Sequence, residues 1–473
     1  MAHVVIIGAG LTGISTAYHL EKAGFIDYKI FEKESEPGGL CRSIMQDGFT
    51  FDFTGHLLHT GGSYFRELIQ QVVGLDQLNA IHRRSFIYSH NTYTPYPYQM
   101  NLFGLPPQTI VECIQGYINR PSIPDPQSFK EWVLTTFGNG FGEHFFFPYQ
   151  EKIFAFDINT LTAAWTKNFV PKTTLNDILY GALSNTGDAT VGYNAEFFYP
   201  KEGGIFSWVK SFAHQIKQPI YTNMAVQKID ATHKHVIFDN GHREPYDILI
   251  NTMPLDRLLD CIEEPSASSI KTAQSHLKCN KVINFNLGIN RPDLSDKHWI
   301  YFPEKSYPFY RLGFPYNFSK HMAPAGCSSL YGEFAHIDKS PEWVEKTLQS
   351  ALLATKKLLA IQDDEIATQL VIPISHAYVI YDQWHGKQLP HLHTALNNRA
   401  IHSIGRYGEW KYASMQDSVL DGKKMAETII DSEHNLSITP KKKFYEKIST
   451  EHSHIGNQHA PDSLSRTTII FKK

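Results

Sequence analysis

Val4-Val5-Ile6-Ile7-Gly8-Ala9-Gly10-Leu11-Thr12-Gly13-Ile14-Ser15-Thr16-Ala17-Tyr18-His19-Leu20 is the stretch whose reading decides the fold. A short apolar run enters a Gly-x-Gly-x-x-Gly turn and leaves it in a helical pattern. A second apolar run, Tyr28 to Phe31, ends in Glu32 and Lys33. Each part has a mechanical role. Gly8 permits the tight turn, Gly10 lets the backbone approach a pyrophosphate, and Gly13 lets the helix pack closely on the strand. The helix start at Leu11 and Thr12 turns its N–H groups toward the anion, and Glu32 accepts from a ribose. A glycine triplet alone is a weak signal. Here strand, glycines, helix, second strand and acid fall in register, which predicts a Rossmann-type dinucleotide site.

The next residues specify the dinucleotide. Pro37-Gly38-Gly39-Leu40-Cys41-Arg42-Ser43 follows at once, where an NAD-only domain would begin its next crossover helix. A second glycine pair with a basic neighbour suits further contact with a pyrophosphate or a flavin. The expected cofactor is FAD; the competing reading is a glycine turn that serves only an NAD-type fold.

Bulk composition bounds the rest. The chain has 473 residues, enough for two or three domains, and a formal net charge of −3, so no basic surplus points to nucleic acid. Five scattered cysteines form neither a disulfide framework nor a metal knuckle. The initial apolar run is too short for a signal peptide, and no window reaches the length of a membrane span. A cytoplasmic protein is expected. The 24 histidines follow no metal-ligand spacing, so no metal site is expected.

Along the chain, Phe51 to His59 reads as a strand delivering the loop Thr54-Gly55-His56. Prolines alternate with tyrosines in Tyr93-Thr94-Pro95-Tyr96-Pro97-Tyr98-Gln99, leaving only edge or loop backbone. Pro106 to Leu183 is mainly helical and dense in aromatics. Strand texture returns with Met224–Ile229, His235–Phe238 and Tyr246–Thr252, then Val282–Leu287, Trp299–Phe302, Tyr310–Phe314 and Ser328–Phe334. A helix is predicted near 341–360 and another near 416–430. The fold class is α/β: a discontinuous Rossmann-type FAD-binding domain (1–90, 193–262, 395–432), a mainly helical insertion (91–192), an α+β substrate domain (263–394), and a polar C-terminal extension (433–473). Near the end, Gly405-Arg406-Tyr407-Gly408-Glu409-Trp410-Lys411-Tyr412 leads into a helix start at Gln416-Asp417. A glycine turn and helix N-terminus under a flavin would favour negative charge on its reduced form.

The opening resembles the FAD-binding start of the amine oxidase, protoporphyrinogen oxidase and UDP-galactopyranose mutase group. Trp299-Ile300-Tyr301-Phe302-Pro303, Tyr310-Arg311, Tyr96-Pro97-Tyr98-Gln99, Pro148-Tyr149, His376-Ala377-Tyr378 and Gly405–Tyr412 extend that likeness to about residue 430. In order and spacing they look like the eukaryotic-type UDP-galactopyranose mutases. The resemblance implies covalent catalysis in which N5 of reduced FAD attacks the anomeric carbon of a UDP-sugar, with NAD(P)H as a candidate reductant. It implies that Arg311 clamps the diphosphate and that Tyr301, Tyr378 and Tyr412 give hydroxyls to it. Tyr96, Tyr98, Gln99, Phe145, Gln150, Phe154, Phe169 and Trp299 would surround substrate, and His56 would lie near N5. FAD contacts would come from Gly8, Gly10, Leu11, Thr12, Gly13, Glu32, Lys33, Gly39, Leu40, Arg42, Ser43, Gly55, His56, Val226, Gly405, Arg406, Tyr412, Gln416 and Asp417. The partner is a small molecule, a nucleotide sugar; the oligomeric state stays open.

Departures from the family pattern matter. Phe169 stands where the family carries a second diphosphate-binding arginine. Gln150 and Phe154 replace Asn and Trp, Asn317-Phe318 replaces Asn-Tyr, and Thr54-Gly55-His56 replaces Gly-Gly-His. Arg311 can also be read as a structural ion pair. The alternative functions are an FAD-dependent oxidoreductase of amine oxidase or protoporphyrinogen oxidase type, passing hydride from an apolar substrate to N5, and a non-catalytic flavoprotein.

Overall fold

The computed structural model describes residues 2–166, 170–185, 195–263 and 272–436. Phe169 and positions 437–473 of the C-terminal extension lie outside the described residues.

Two sheets organise the chain. The first has five strands in the order Ile401–Ser403, Ile248–Asn251, Val4–Ile7, Tyr28–Phe31 and Ile220–Tyr221, all parallel. Parallel strands covered on both faces read as continuous apolar runs rather than alternations, and Val4–Ile7 and Ile248–Asn251 are buried at every position. The helix Leu11–Lys22 follows the glycine turn and packs along Met415–Leu436, the last described helix. Small residues let these elements close up. A Cβ on Gly13 would stand 2.0 Å from the Gly8 carbonyl oxygen, and one on Gly422 would stand 2.5 Å from that of Thr12.

The second sheet has seven strands: Ile366–Ile374, Lys281–Ile289, Ser328–His336, Arg311–Gly313, Trp299–Tyr301, Ser85–Ser89 and Thr92–Pro95. Pairing is antiparallel except between Trp299–Tyr301 and Ser85–Ser89. The proline-spaced segment forms the outermost strand, as its missing N–H groups require. Strands 85–89 and 92–95 thus pair with the sheet built mainly from residues 281–374. Helices Pro107–Ile118, Phe129–Phe137 and Phe147–Phe154 carry a separate aromatic core that abuts this sheet.

Most expected elements form within a residue or two. The hairpin read at 224–238 gains a third antiparallel strand, Arg243–Pro245, and a parallel partner, Ile262–Glu263. The helix Gln383–Asn397 was not foreseen, because Pro390 sits inside it; Asp382 caps it by accepting the His385 N–H at 2.9 Å.

Candidate functional site

At the glycine turn the backbone has the shape a pyrophosphate needs. Gly8 has φ +94°, and Gly10 caps the first helix without a side chain. Gly10 and Gly39 face each other so closely that a Cβ on Gly39 would stand 3.4 Å from the Gly10 Cα. The two glycine loops are joined by the Gly38 N–H donating to the Ala9 carbonyl at 2.8 Å. Glu32 is buried and accepts from the Ala9 and Glu34 N–H groups at 2.8 and 3.0 Å, which ties the second strand to the turn. Lys33 points to solvent beside Glu34.

Several expected cofactor residues have side chains committed to the protein. Ser43 donates to Asp52 at 2.6 Å, within a buried network that also holds the Tyr199 hydroxyl and the Ile205 N–H. Burial pushes the Asp52 carboxyl up to about 6. Arg42 donates to the Gly39 carbonyl and covers the Phe53 ring. Gln416 accepts the Gly62 N–H at 3.1 Å, and Asp417 closes a reciprocal cap with Ser414. Gly405 abuts Thr12, and Leu11 is buried in the core beneath the turn. Leu40 packs at the edge of the helical core. Val226 lies on the hairpin, its carbonyl facing the Cys261 thiol.

Two groups still lack a protein counterpart. Arg406 is held by the Ala413 and Ala377 carbonyls at 2.7 and 3.1 Å and stacks over Tyr412, with no carboxylate in ion-pair range among the described residues. A half-buried cation held by carbonyls and facing no carboxylate fits a site completed by an anion. His56 lies on the loop after Thr54, whose φ of +71° is strained for a β-branched residue. Burial first, then Arg406 and Arg311, holds the His56 imidazole down to about 4; its Nδ1 is buried without a hydrogen-bond partner. A neutral ring with an unspent nitrogen fits a site meant for a flavin.

The cleft lies beyond, a cavity of about 150 Å³. Tyr96, Gln99, Phe145, Gln150, Phe154, Tyr301, Arg311, Tyr378 and Tyr412 line it, and Phe146, Tyr149, Ile153, Trp165, Val170, Val379 and Tyr381 complete it. Expected residues spread over more than 300 positions therefore meet. Tyr98 and Trp299 are not in the lining. Tyr98 is fully buried behind Phe145, stacked on it at 5.1 Å, and Trp299 packs against Phe197 and Phe318. The wall is largely aromatic: Phe145 stacks on Tyr149 at 5.3 Å, and Tyr378 on Tyr412 at 6.2 Å.

Arg311 does not stand alone. Its Nε and Nη2 donate to both oxygens of Glu333 at 2.7 to 3.0 Å, and Glu333 is fully buried on the neighbouring strand. The ion-pair reading of Arg311 thus describes what the fold does. Tyr96, Tyr149 and Tyr378 are pushed up by burial and stay protonated; their hydroxyls have no hydrogen-bond partner among the described residues. Gln150, more than nine-tenths buried, is likewise without one, while Gln99 donates to the Pro171 carbonyl at 2.6 Å. Tyr381 holds the Tyr412 N–H at 2.5 Å. Sequence reasoning missed Glu333 and Tyr381. Strand register across Arg311 would have exposed the first; no local signal marks the second.

No helix among the described residues is long and apolar enough to cross a membrane, and none of their acidic, histidine and cysteine side chains group as a metal site.

This geometry defines a flavin-type dinucleotide site with a largely aromatic cleft that carries a few polar groups. A family model for flavin containing amine oxidoreductases matches residues 11–430, and the chain belongs to that family. It is an FAD-dependent enzyme. The structure of reduced UDP-galactopyranose mutase superposes with a TM-score of 0.85 at 25% identity, covering 96% of this chain and 97% of that one. Coproporphyrinogen III oxidase of Staphylococcus aureus is 24% identical over 315 residues, 60% of this chain and 67% of that protein. The 4,4'-diapolycopene oxygenase of a Methylomonas species is 22% identical over 379 residues, 71% and 76% of the two chains.

Proposed function

We propose that the protein acts on a nucleotide sugar in the manner of UDP-galactopyranose mutase, interconverting pyranose and furanose forms. The observation that carries this reading is the set of unspent polar groups in the cleft. The Tyr96, Tyr149 and Tyr378 hydroxyls and the Gln150 amide face a cavity that also holds Arg311. An apolar polyene would leave each of them buried and unpaired, at about 1–3 kcal/mol apiece. A sugar and diphosphate would satisfy them.

Reduced FAD would supply the nucleophile, at N5, for the anomeric carbon. Arg311 would face the diphosphate and hold the leaving group, with the hydroxyls of Tyr301, Tyr378 and Tyr412 around it. Tyr96, Gln99, Phe145, Gln150 and Phe154 would hold the base by stacking and amide hydrogen bonds. His56, kept neutral by burial, would neither repel the guanidinium groups nor draw charge from the flavin. The aromatic walls would exclude water, which otherwise competes for the activated sugar. A cavity of about 150 Å³ is smaller than a nucleotide sugar needs. Binding a nucleotide sugar would therefore require a wider cleft than this structure shows.

A second reading, an oxidoreductase, is favoured by one observation: Glu333 neutralises the cation that a diphosphate would need. The test is anaerobic. Protein reduced with dithionite or NADPH is mixed with UDP-galactofuranose or UDP-galactopyranose, and products are separated by chromatography. Interconversion supports the mutase. No interconversion, together with a flavin spectrum indifferent to UDP, rejects the sugar-nucleotide reading and leaves the oxidoreductase.

A further inference from the structure

Tyr331 belongs to no group assigned above, yet it stands where the two halves of the site meet. It lies on strand Ser328–His336 two residues before Glu333, on the same face, and pairs with Gly313 as Glu333 pairs with Arg311. Two glycines on different elements make room for its ring. A Cβ on Gly313 would stand 2.2 Å from ring carbons, and a Cβ on Gly55 would stand 2.3 Å from the phenol oxygen. The ring therefore lies over the strand that carries Arg311, and its hydroxyl reaches the loop that carries His56. The Arg311 guanidinium is 6.0 Å from the ring centroid.

That hydroxyl is unspent. Tyr331 is 4% exposed and makes no hydrogen bond among the described residues. The oxygen is not among the sealed, unpaired atoms of the core, so it opens onto space a ligand can occupy, where a phenylalanine would offer no donor. Burial and Glu333 push its ionisation up while Arg311 opposes them, so it remains a neutral donor.

We infer that Tyr331 is a further site residue whose hydroxyl hydrogen-bonds the flavin at the edge that meets the Gly55–His56 loop. This rests on FAD binding and not on the mutase reading. One side chain then sets the distance between the substrate-facing strand and the cofactor-facing loop, and uses its only polar atom on the cofactor.

The test is Tyr331→Phe, which keeps the ring and removes one oxygen. The apoprotein is expected to melt at the wild-type temperature or above it, because no protein hydrogen bond is lost. Its FAD affinity, measured by fluorescence quenching, is expected to fall roughly two- to ten-fold, the range for one neutral hydrogen bond. The flavin midpoint potential and the fine structure of the visible spectrum are expected to shift with it. A spacing-only role, which the retained ring still performs, predicts unchanged affinity, potential and spectrum. Identical affinity, potential and spectrum overturn the inference. Gly55→Ala supplies the second arm: alone it drives a methyl into the phenol oxygen and loses stability, and Tyr331→Phe in the same chain restores it. If Gly55→Ala is tolerated alone, the packing described here is wrong. Failure of UDP to bind wild-type protein bears only on the mutase reading, since every readout here uses FAD alone.

Discussion

Glu333→Gln separates what Arg311 does for the fold from what it does for a ligand. The pair is made of three N–H···O contacts between 2.7 and 3.0 Å, with the carboxylate fully buried and the arginine side chain 18% exposed. Two unit charges about 4 Å apart attract by about 4 kcal/mol at an effective dielectric of about 20. Removing one partner of a buried pair costs about 3–5 kcal/mol, because the other charge is left uncompensated. Glutamine keeps the shape and one accepting oxygen, so a loss of about 2–4 kcal/mol is expected. Urea denaturation of the apoprotein, followed by tryptophan fluorescence, measures it as a lowered midpoint. The second effect has the opposite sign. Without Glu333 the guanidinium meets a diphosphate as a free cation, and a charge-assisted bond worth about 1.5–3 kcal/mol tightens UDP about ten-fold or more. Flavin-detected titration of the holoprotein reads that affinity. A variant as stable as wild type refutes the buried-pair argument. A variant that is less stable but binds UDP no better refutes the idea that Glu333 masks an anion site.

Thr54→Gly removes a β-branched residue from φ +71° and is expected to raise stability by up to about 1 kcal/mol, read as a higher urea midpoint; a lower midpoint would show that the threonine side chain, not its backbone, matters there. Lys152 donates to the Phe302 and Glu304 carbonyls at 2.6 and 3.0 Å and ties the cleft helix to the large sheet, so Lys152→Met is expected to loosen that wall. Faster hydrogen exchange in residues 147–154 than in 107–118 checks it; uniform exchange in both would dismiss the tether. Acid should destabilise the apoprotein. Burial holds His56, His59 and His298 down to about 4, below their ordinary value, so the unfolded chain binds more protons between about 4 and 6.5. Their contribution is complete above pH about 6.5 and is lost as pH falls through 4. Asp52 and Asp421, both raised to about 6 chiefly by burial, act in the opposite direction over part of that window, but three imidazoles outnumber two carboxyls. Urea midpoints equal at pH 4.5 and 7 would contradict this.

The cofactor end of the molecule was legible in the sequence because its rules are local. A turn, a helix start and an acid at set spacing leave little freedom, and Gly8, Gly13 and Glu32 stand where that spacing puts them. The cleft was legible through resemblance, since nothing local joins Tyr96 to Tyr412. Glu333 escaped notice because its partner is set by strand register across 22 residues, which no single segment encodes. Trp299 and Tyr301 share one face of a three-residue strand, but the cleft covers only the Tyr301 end, while Phe197 and Phe318 cover the other. Alternation tells which way a side chain points and not what lies over it. Helix Gln383–Asn397 was hidden by its own proline, tolerated because Asp382 anchors its start.

The pairing of Val4–Ile7 with Ile248–Asn251, and of that strand with Ile401–Ser403, has a meaning in time as well as in space. The strand and helix that enclose the glycine turn are translated about 400 residues after it, a wait of roughly 20 to 80 s at ordinary synthesis rates. Throughout that interval the nascent chain carries an unfinished parallel sheet whose apolar edges have no cover. FAD cannot be captured early as a folding template, because Gly405 and the helix Met415–Leu436 are not yet there to pack against Thr12. Holoprotein yield in a cell-free system should therefore depend on chaperones that shield the growing chain, and should be indifferent to whether FAD is added before or after synthesis ends.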